Sequence, residues 1–362
     1  MSARFYLLTL PIRVGKTQYL REWARRARDA RSHGADPWGP VGGICGPDID
    51  GLRVWEDLAT GHQHPWQRAQ DAPADPDDIP IGRYRFAASG FRWALDRLYA
   101  ATADPHIRTL VVDEIGPLEI QHDTGLAPTL TAWLQTMRQP EHAGRNVLLV
   151  VRPNWKEEAV LKWGLACENA EPLLLPPPPS LVGCVLAGGK STRMGRDKAF
   201  VGQTDPNLPS PPLPAFERAA RQLTRVLPAG TPVCISGPGP YPHRHALPDH
   251  PRHAGAGPRS GLLSVADAFP QASILLLGVD YPLLHDAALH RLLQCHRLSG
   301  KSVCFASADP VHPEPLVAIY RPGDCRWLRK NDLPLNAVWR ERDTVRLPHD
   351  PSLHLVSIDH PP

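Results

Sequence analysis

Four consecutive prolines, Pro176–Pro179, interrupt a chain of 362 residues near its middle. Proline lacks a backbone N–H and fixes φ, so such a run fits neither a helix nor the interior of a sheet. It favours an extended, semi-rigid spacer. At about 100–200 residues per domain, the length suits two domains. A new apolar stretch, LVGCVLAGG, starts directly after the spacer. The predicted boundary falls near residue 178, with domains over 1–175 and 180–362, each long enough to bury its own core.

Both halves alternate short apolar runs with helical patterns. In the first, strands are predicted at Phe5–Leu10, Thr109–Asp113 and Asn146–Val151, with helices at Thr17–Ser32, Ser89–Ala101 and Leu126–Met137. A long loop is predicted around DAPADPDDIP. In the second, strands are predicted at Val182–Leu186, Val233–Ser236, Ile274–Gly278, Val303–Ala306 and Leu316–Tyr320. Short, wholly apolar strands between helices imply a parallel sheet covered on both faces. The predicted fold class is α/β, with two three-layer domains.

Composition removes several function classes. Forty basic and 37 acidic side chains leave a net charge of +3, which gives no broad basic field for nucleic acid. The basic run Arg21, Arg25, Arg26, Arg28 and Arg31 reads as a solvated helix face. Seven scattered cysteines without a C-x-x-C pair argue against a disulfide framework or a structural zinc site. No apolar run reaches about 18 residues, so no membrane span is predicted. MSARFYLLTLP does not have the form of a signal peptide. A soluble, cytoplasmic protein is the expectation.

The strongest chemical signal is LAGGKSTRMGRDKA, residues 186–199. Gly188, Gly189 and Gly195 let backbone N–H groups wrap an anion. Lys190, Arg193, Arg196 and Lys198 surround them with positive charge. A loop of this kind at the end of the first strand lies where open α/β sheets bind ligands. It points to a nucleoside triphosphate whose charge is neutralised as it is attacked. Asp280 ends a buried-type strand in LLLGVDYPLL, the position for a carboxylate that holds Mg²⁺ against a triphosphate. Asp286 is read as the cap of the next helix. His243, His245, His250 and His253 crowd one stretch, but the prolines among them favour a polar loop over a zinc site.

The 186–199 run resembles the L-A-G-G-x-S-x-R-M-G-x-D-K signature of the molybdenum cofactor guanylyltransferases. GPRSGLLSVADAF, LLLGVDYPLL and HPEPLVAIY are similar to further stretches of that family, and the resemblance covers residues 180–362. It implies a Rossmann-like nucleotidyltransferase domain with GTP and molybdopterin as substrates and Mg²⁺ as the metal. Leu186, Ala187, Gly188 and Gly189 would then cradle the nucleotide. Arg193 and Lys198 would meet phosphate charge, Asp249 would contact the nucleotide, and Asp280 would bind Mg²⁺. His312 would lie near the pterin. Where the family carries N-x-N-T-P, this chain has SIDHP, with Ser357 and Asp359 in place of the asparagines.

In the first half, TLVVDEIGPLEI places Asp113 and Glu114 at a strand end. This is a Walker B arrangement, in which the Asp supports Mg²⁺ and the Glu polarises a water. Its wording resembles a family of small P-loop nucleoside-triphosphatases over about residues 4–165, as do GRYRF and DLATG. The matching loop, LTLPIRVGKT, keeps Gly15, Lys16 and Thr17 of the pattern G-x-x-x-x-G-K-[ST] but carries Leu10 and Arg13 where glycines are usual. A weakened phosphate grip is expected.

The leading reading is therefore a divergent P-loop domain fused to a guanylyltransferase. One alternative is a cytidylyltransferase or another enzyme of the same superfamily. Another makes the N-terminal half a non-catalytic docking or regulatory module for molybdoenzymes or their chaperones.

Overall fold

The structure, a computed structural model, describes residues 2–11, 13–29, 38–69, 71–73, 75–81, 84–175, 179–187, 197–208, 211–237, 241, 246–249, 257–307 and 312–357, apart from the side chains at 28, 29, 81 and 172. It divides into two compact units, Met1–Pro176 and Pro177–Pro362.

The N-terminal unit has strands β1 (Arg4–Thr9), β2 (Val41–Cys45), β3 (Asp48–Ile49), β4 (Leu52–Asp57), β5 (Gln63–Pro65), β6 (Ile79–Ile81), β7 (Tyr84–Phe86), β8 (Thr109–Ile115), β9 (Asn146–Val151) and β10 (Cys167–Asn169). Its main sheet runs β10-β1-β9-β8-β2-β4-β3, with β5 beside β4. The first five of these strands pair in parallel, and the rest extend the sheet antiparallel. All six positions of β9 are buried. Alternate side chains leave opposite faces of a strand, so both faces are covered. One core gathers Phe5, Leu7, Val112 and Leu149 with Phe91, Leu98 and Trp133 from the helices Ala88–Ala103 and Ala127–Met137. Strands β6 and β7 form an antiparallel hairpin where the sequence predicts a long loop.

The C-terminal unit has strands β11 (Leu181–Leu186), β12 (Gly202–Gln203), β13 (Leu213–Pro214), β14 (Val233–Ser236), β15 (Ala246–Leu247), β16 (Ser273–Gly278), β17 (Val303–Ala306), β18 (Pro313–Tyr320) and β19 (Val345–Leu347). The sheet order is β15-β14-β11-β16-β18-β17-β19. Strands β15, β14, β11 and β16 are parallel, whereas β18 runs antiparallel to both its neighbours. The sheet is thus mixed and not purely parallel as its apolar strands suggest. The short link from β17 to β18 leaves room only for an antiparallel return. Strand β11 lies between β14 and β16, so successive strands are laid on opposite sides of it. A crevice opens at the carboxyl end of such a switch point.

Among the described residues no helix is long and apolar enough to cross a membrane. All seven cysteines are free thiols.

Candidate active site

The carboxyl ends of β11, β14 and β16 are tied to one another. The Val279 N–H donates to the Leu186 carbonyl (3.3 Å), and the Ala187 N–H donates to the Ser236 carbonyl (2.9 Å). The Tyr241 hydroxyl donates to the Ala187 carbonyl (3.0 Å). Leu186 and Ala187 therefore hold a fixed rim for the loop that follows. Gly188, Gly189 and Arg193 lie outside the described residues, as do Lys190, Gly195, Arg196, Asp359 and the four crowded histidines.

The Asp197 carboxylate accepts the Ala199 N–H at 3.0 Å and caps a short 3-10 turn, Lys198–Phe200. That turn is packed by Phe200 against Phe216 and Tyr241, with ring centroids 5.4 and 5.8 Å apart. The cap and the aromatic packing place Lys198, whose Nζ lies 3.6 Å from Asp280 Oδ1. The structure thus brings together two of the predicted site residues, 82 positions apart in the chain (280 − 198). Both are mostly buried, at 16% and 20% side-chain exposure, so their attraction is less screened than on an open surface.

The loop carrying Asp280 is held by a buried polar cluster that pattern reading misses. The carbonyl before Asp280, on Val279, accepts from Gln203 Nε2 at 3.2 Å. The carbonyl after it, on Tyr281, accepts from Arg218 Nη2 at 3.2 Å. Arg218 joins the two by donating Nε to Gln203 Oε1, and it also donates to Gln222 Oε1, each at 2.9 Å. Gln222 in turn donates to the Leu284 carbonyl at 2.7 Å. Burial pulls the Arg218 guanidinium down to about 10, so it remains a cation at neutral pH. The Tyr281 hydroxyl donates to Glu314 at 2.6 Å.

Asp286 does not cap the next helix as expected. It is the first residue of the helix Asp286–Ser299, behind His285, and its carboxylate takes two bonds from Arg225 (2.5 and 2.9 Å). Asp249 lies just past β15, at the edge of the sheet, partly exposed. His312 is exposed, and its carbonyl accepts the Ser307 N–H at 2.8 Å.

In the N-terminal unit, Thr17 sits in the first turn of the helix Lys16–Asp29 and donates its hydroxyl to Asp113 Oδ2 at 2.8 Å. This contact brings together the loop and the strand end that the sequence singles out. Arg13 adopts φ 60° and Gly15 φ 86°, so the loop keeps left-handed backbone without its usual middle glycine. Leu10 is buried. Glu114 follows Asp113 in a left-handed conformation, φ 68°, with Arg53 3.5 Å from its carboxylate. Burial, together with the Asp113 charge, pushes its carboxyl up against the pull of Arg53, Lys16 and Arg152. Among the described residues no group of three or more His, Cys, Asp or Glu side chains is placed to hold a metal unaided.

Comparison with known proteins bears on the C-terminal unit. Residues 183–336 match the model of a family described as MobA-like NTP transferase domain. The chain is similar to a molybdenum cofactor biosynthesis bifunctional protein of Synechocystis sp., 29% identical over 143 residues, which cover 39% of this chain and 39% of that protein. It is also similar to a molybdenum cofactor guanylyltransferase of Xanthomonas euvesicatoria, 37% identical over 132 residues, which cover 36% of this chain and 61% of that protein. In both cases the match spans less than two thirds of the relative. A Mycobacterium tuberculosis H37Rv protein known by crystal structure aligns with 51% of this chain and 94% of its own, at 20% identity and a TM-score of 0.35. The C-terminal unit carries a MobA-like NTP transferase domain.

Proposed function

We propose that the C-terminal unit transfers GMP from GTP to the terminal phosphate of molybdopterin, forming a guanine dinucleotide cofactor and releasing pyrophosphate. The observation that carries this reading is the Lys198–Asp280 pair, held 3.6 Å apart beside the carboxyl end of β11. The choice of substrates is supported by the similarity to a molybdenum cofactor guanylyltransferase.

In this reaction a phosphate oxygen of the acceptor attacks the α-phosphorus of GTP, and the bond to the β-phosphate breaks. Both partners are polyanions, so charge repulsion is the main barrier, and positioned cations matter more than a general base. Lys198 offsets charge on the triphosphate. Arg193 has the same assigned role. Leu186, Ala187, Gly188 and Gly189 are assigned to the nucleotide, as is Asp249.

Mg²⁺ suits the Asp280 carboxylate, a hard oxygen donor at a strand end. Mg²⁺ is commonly held by one or two carboxylates together with substrate phosphates. When bound it would neutralise charge across the triphosphate. Asp280→Asn is expected to lower dinucleotide formation at least about 100-fold, the size of effect seen when a single electrostatic group is lost. Its folded state, followed by circular dichroism, should be unchanged. Full activity in that variant would remove Asp280 from the site.

Incubating the protein with molybdopterin, Mg²⁺ and each labelled nucleoside triphosphate tests the nucleotide choice. Transfer from CTP in place of GTP would favour the cytidylyltransferase alternative. For the N-terminal unit, Thr17 and Asp113 are assigned to Mg²⁺, Lys16 to the β- and γ-phosphates and Glu114 to an attacking water. Titration with ATP and GTP, in wild type and Thr17→Ala, tests this. Absence of binding at millimolar nucleotide would favour the docking-module alternative.

A further inference from the structure

Asp280 stands on a loop just past β16, and a carboxylate that meets a metal and a triphosphate must be held in place. Bonds to the carbonyls of Val279 and Tyr281 fix two points of that loop. Two points define an axis. Rotation about it would carry the Asp280 carboxylate away from Lys198, and only a third tie, off that axis, prevents it.

The Tyr281 side chain supplies that tie. It is buried and lies over Gly278, where a Cβ would sit 3.5 Å from Tyr281 Cε2. Its hydroxyl donates to Glu314 Oε2 at 2.6 Å, the length of a charge-assisted bond. The antiparallel register of β16 with β18 pairs Leu277 with Val317. Carried three residues further, it would set Asp280 opposite Glu314. The anchor on β18 is stiff. Glu314 stands between Pro313 and Pro315. Each proline fixes its own φ, and Pro315 also confines Glu314 to extended backbone. The buried Tyr320 donates its hydroxyl to the Pro315 carbonyl at 2.8 Å, which braces the strand one residue on.

We propose that Glu314 is a positioning residue of the transfer site: by accepting the Tyr281 hydroxyl it locks Asp280 in the orientation that holds Mg²⁺ on the triphosphate. The inference rests on the Mg²⁺ role assigned to Asp280. The lock needs an oxygen acceptor at position 314 and not a charge. A side chain that touched the metal or the substrate itself would need the carboxylate. Glutamine in place of Glu314 therefore separates the two roles.

Calorimetric titration of the full-length protein with GTP, in Mg²⁺ and in EDTA, tests the lock. Every protein compared carries Thr17→Ala, which removes the hydroxyl assigned to Mg²⁺ in the N-terminal unit. The readout is the gain in GTP affinity on passing from EDTA to Mg²⁺. Asp280→Asn should abolish it. Tyr281→Phe and Glu314→Leu should each cut it about tenfold, since a small misplacement of a site group is costly. Their affinity in EDTA should stay within about twofold of the parent, and the double variant should lose no more than either single one, as for two partners in one bond. Glu314→Gln, which keeps an acceptor oxygen, should retain the gain to within about threefold. Tyr281→Phe should melt within a few degrees of the parent, so the test stands even where Glu314→Leu folds poorly. The lock is overturned if Tyr281→Phe keeps the full gain, if its affinity falls as far in EDTA as in Mg²⁺, or if Glu314→Gln is as weak as Glu314→Leu. A parent without any gain, or an Asp280→Asn variant that keeps it, overturns the Mg²⁺ role of Asp280 and the lock with it.

Discussion

Glu119 is 3% exposed, and its carboxylate accepts N–H groups from Gly116 (3.1 Å) and Leu126 (3.4 Å). Burial outweighs those bonds and pushes its pKa from 4.5 up to about 7. The folded protein therefore holds this proton more tightly than the unfolded chain. By linkage, the stabilising contribution of Glu119 is full below about pH 4.5 and is lost as pH rises through about 7. Glu119→Gln lacks that dependence. The stability of wild type relative to the variant should fall across this window and level off above it, as read by urea unfolding at a series of pH values. A difference independent of pH would show that Glu119 titrates normally. The residue stands inside DEIGPLE, which reads as a strand end with catalytic carboxylates. Its burial was not legible there, because the turn that covers it closes through Leu126, seven positions on. The contact of Thr17 with Asp113 was legible, since loop and strand-end motifs each carry half of a known arrangement.

At the scale of elements, the helix Ala215–Val226 does more than cover the sheet. Its sequence, AFERAARQLTRV, has the apolar spacing of a helix, and Arg218 and Gln222 are both fully buried as well. Their partners, Tyr281 and Leu284, lie 63 and 62 positions away, beyond any local pattern. Arg218→Met should leave acceptors on Gln203, Gln222 and Tyr281 without their donor. At about 1–3 kcal/mol for each unpaired buried group, a loss of at least about 2 kcal/mol in urea unfolding is expected. Because the cluster holds the carbonyls on both sides of Asp280, any folded fraction should also need more Mg²⁺ for half-maximal transfer. An unchanged Mg²⁺ requirement would reduce the cluster to a purely structural role. Gly261 makes a similar point about packing. A Cβ there would come within 2.4 Å of Leu186 Cδ2, so the helix Pro258–Ala268 lies close against β11. Gly261→Ala should cost about 1–3 kcal/mol by overpacking, measured by the same unfolding assay. The strands themselves were largely legible as short apolar runs. The exceptions have local causes. Pro313 and Pro315 disguise the start of β18, which begins where its register with β17 shifts between Cys304 and Ala306. Strand β19 is three residues long and carries an arginine at its centre.

At the scale of the whole molecule, the proline run separates two cores. One gathers buried residues between Ala3 and Leu165, the other between Val182 and Trp339, and they share none. With 176 and 186 residues (362 − 176), each unit is large enough to bury most of its apolar surface alone. Residues 1–176 and 177–362, expressed separately, should each unfold cooperatively in urea. The full chain should then unfold in two transitions. Tryptophan supplies the means to separate them. Of ten tryptophans, two, Trp327 and Trp339, follow the spacer, so the other eight make fluorescence chiefly a probe of the N-terminal unit. Circular dichroism reports both units. Independent units of unequal stability would give fluorescence and dichroism curves with different midpoints, whereas a single cooperative unit gives coincident ones. Coincident curves, with an unfolded 177–362 fragment, would show that the C-terminal core depends on the residues before the prolines. A folded 177–362 fragment that retains nucleotidyl transfer would locate the whole reaction there and leave the Thr17–Asp113 pair to a separate task.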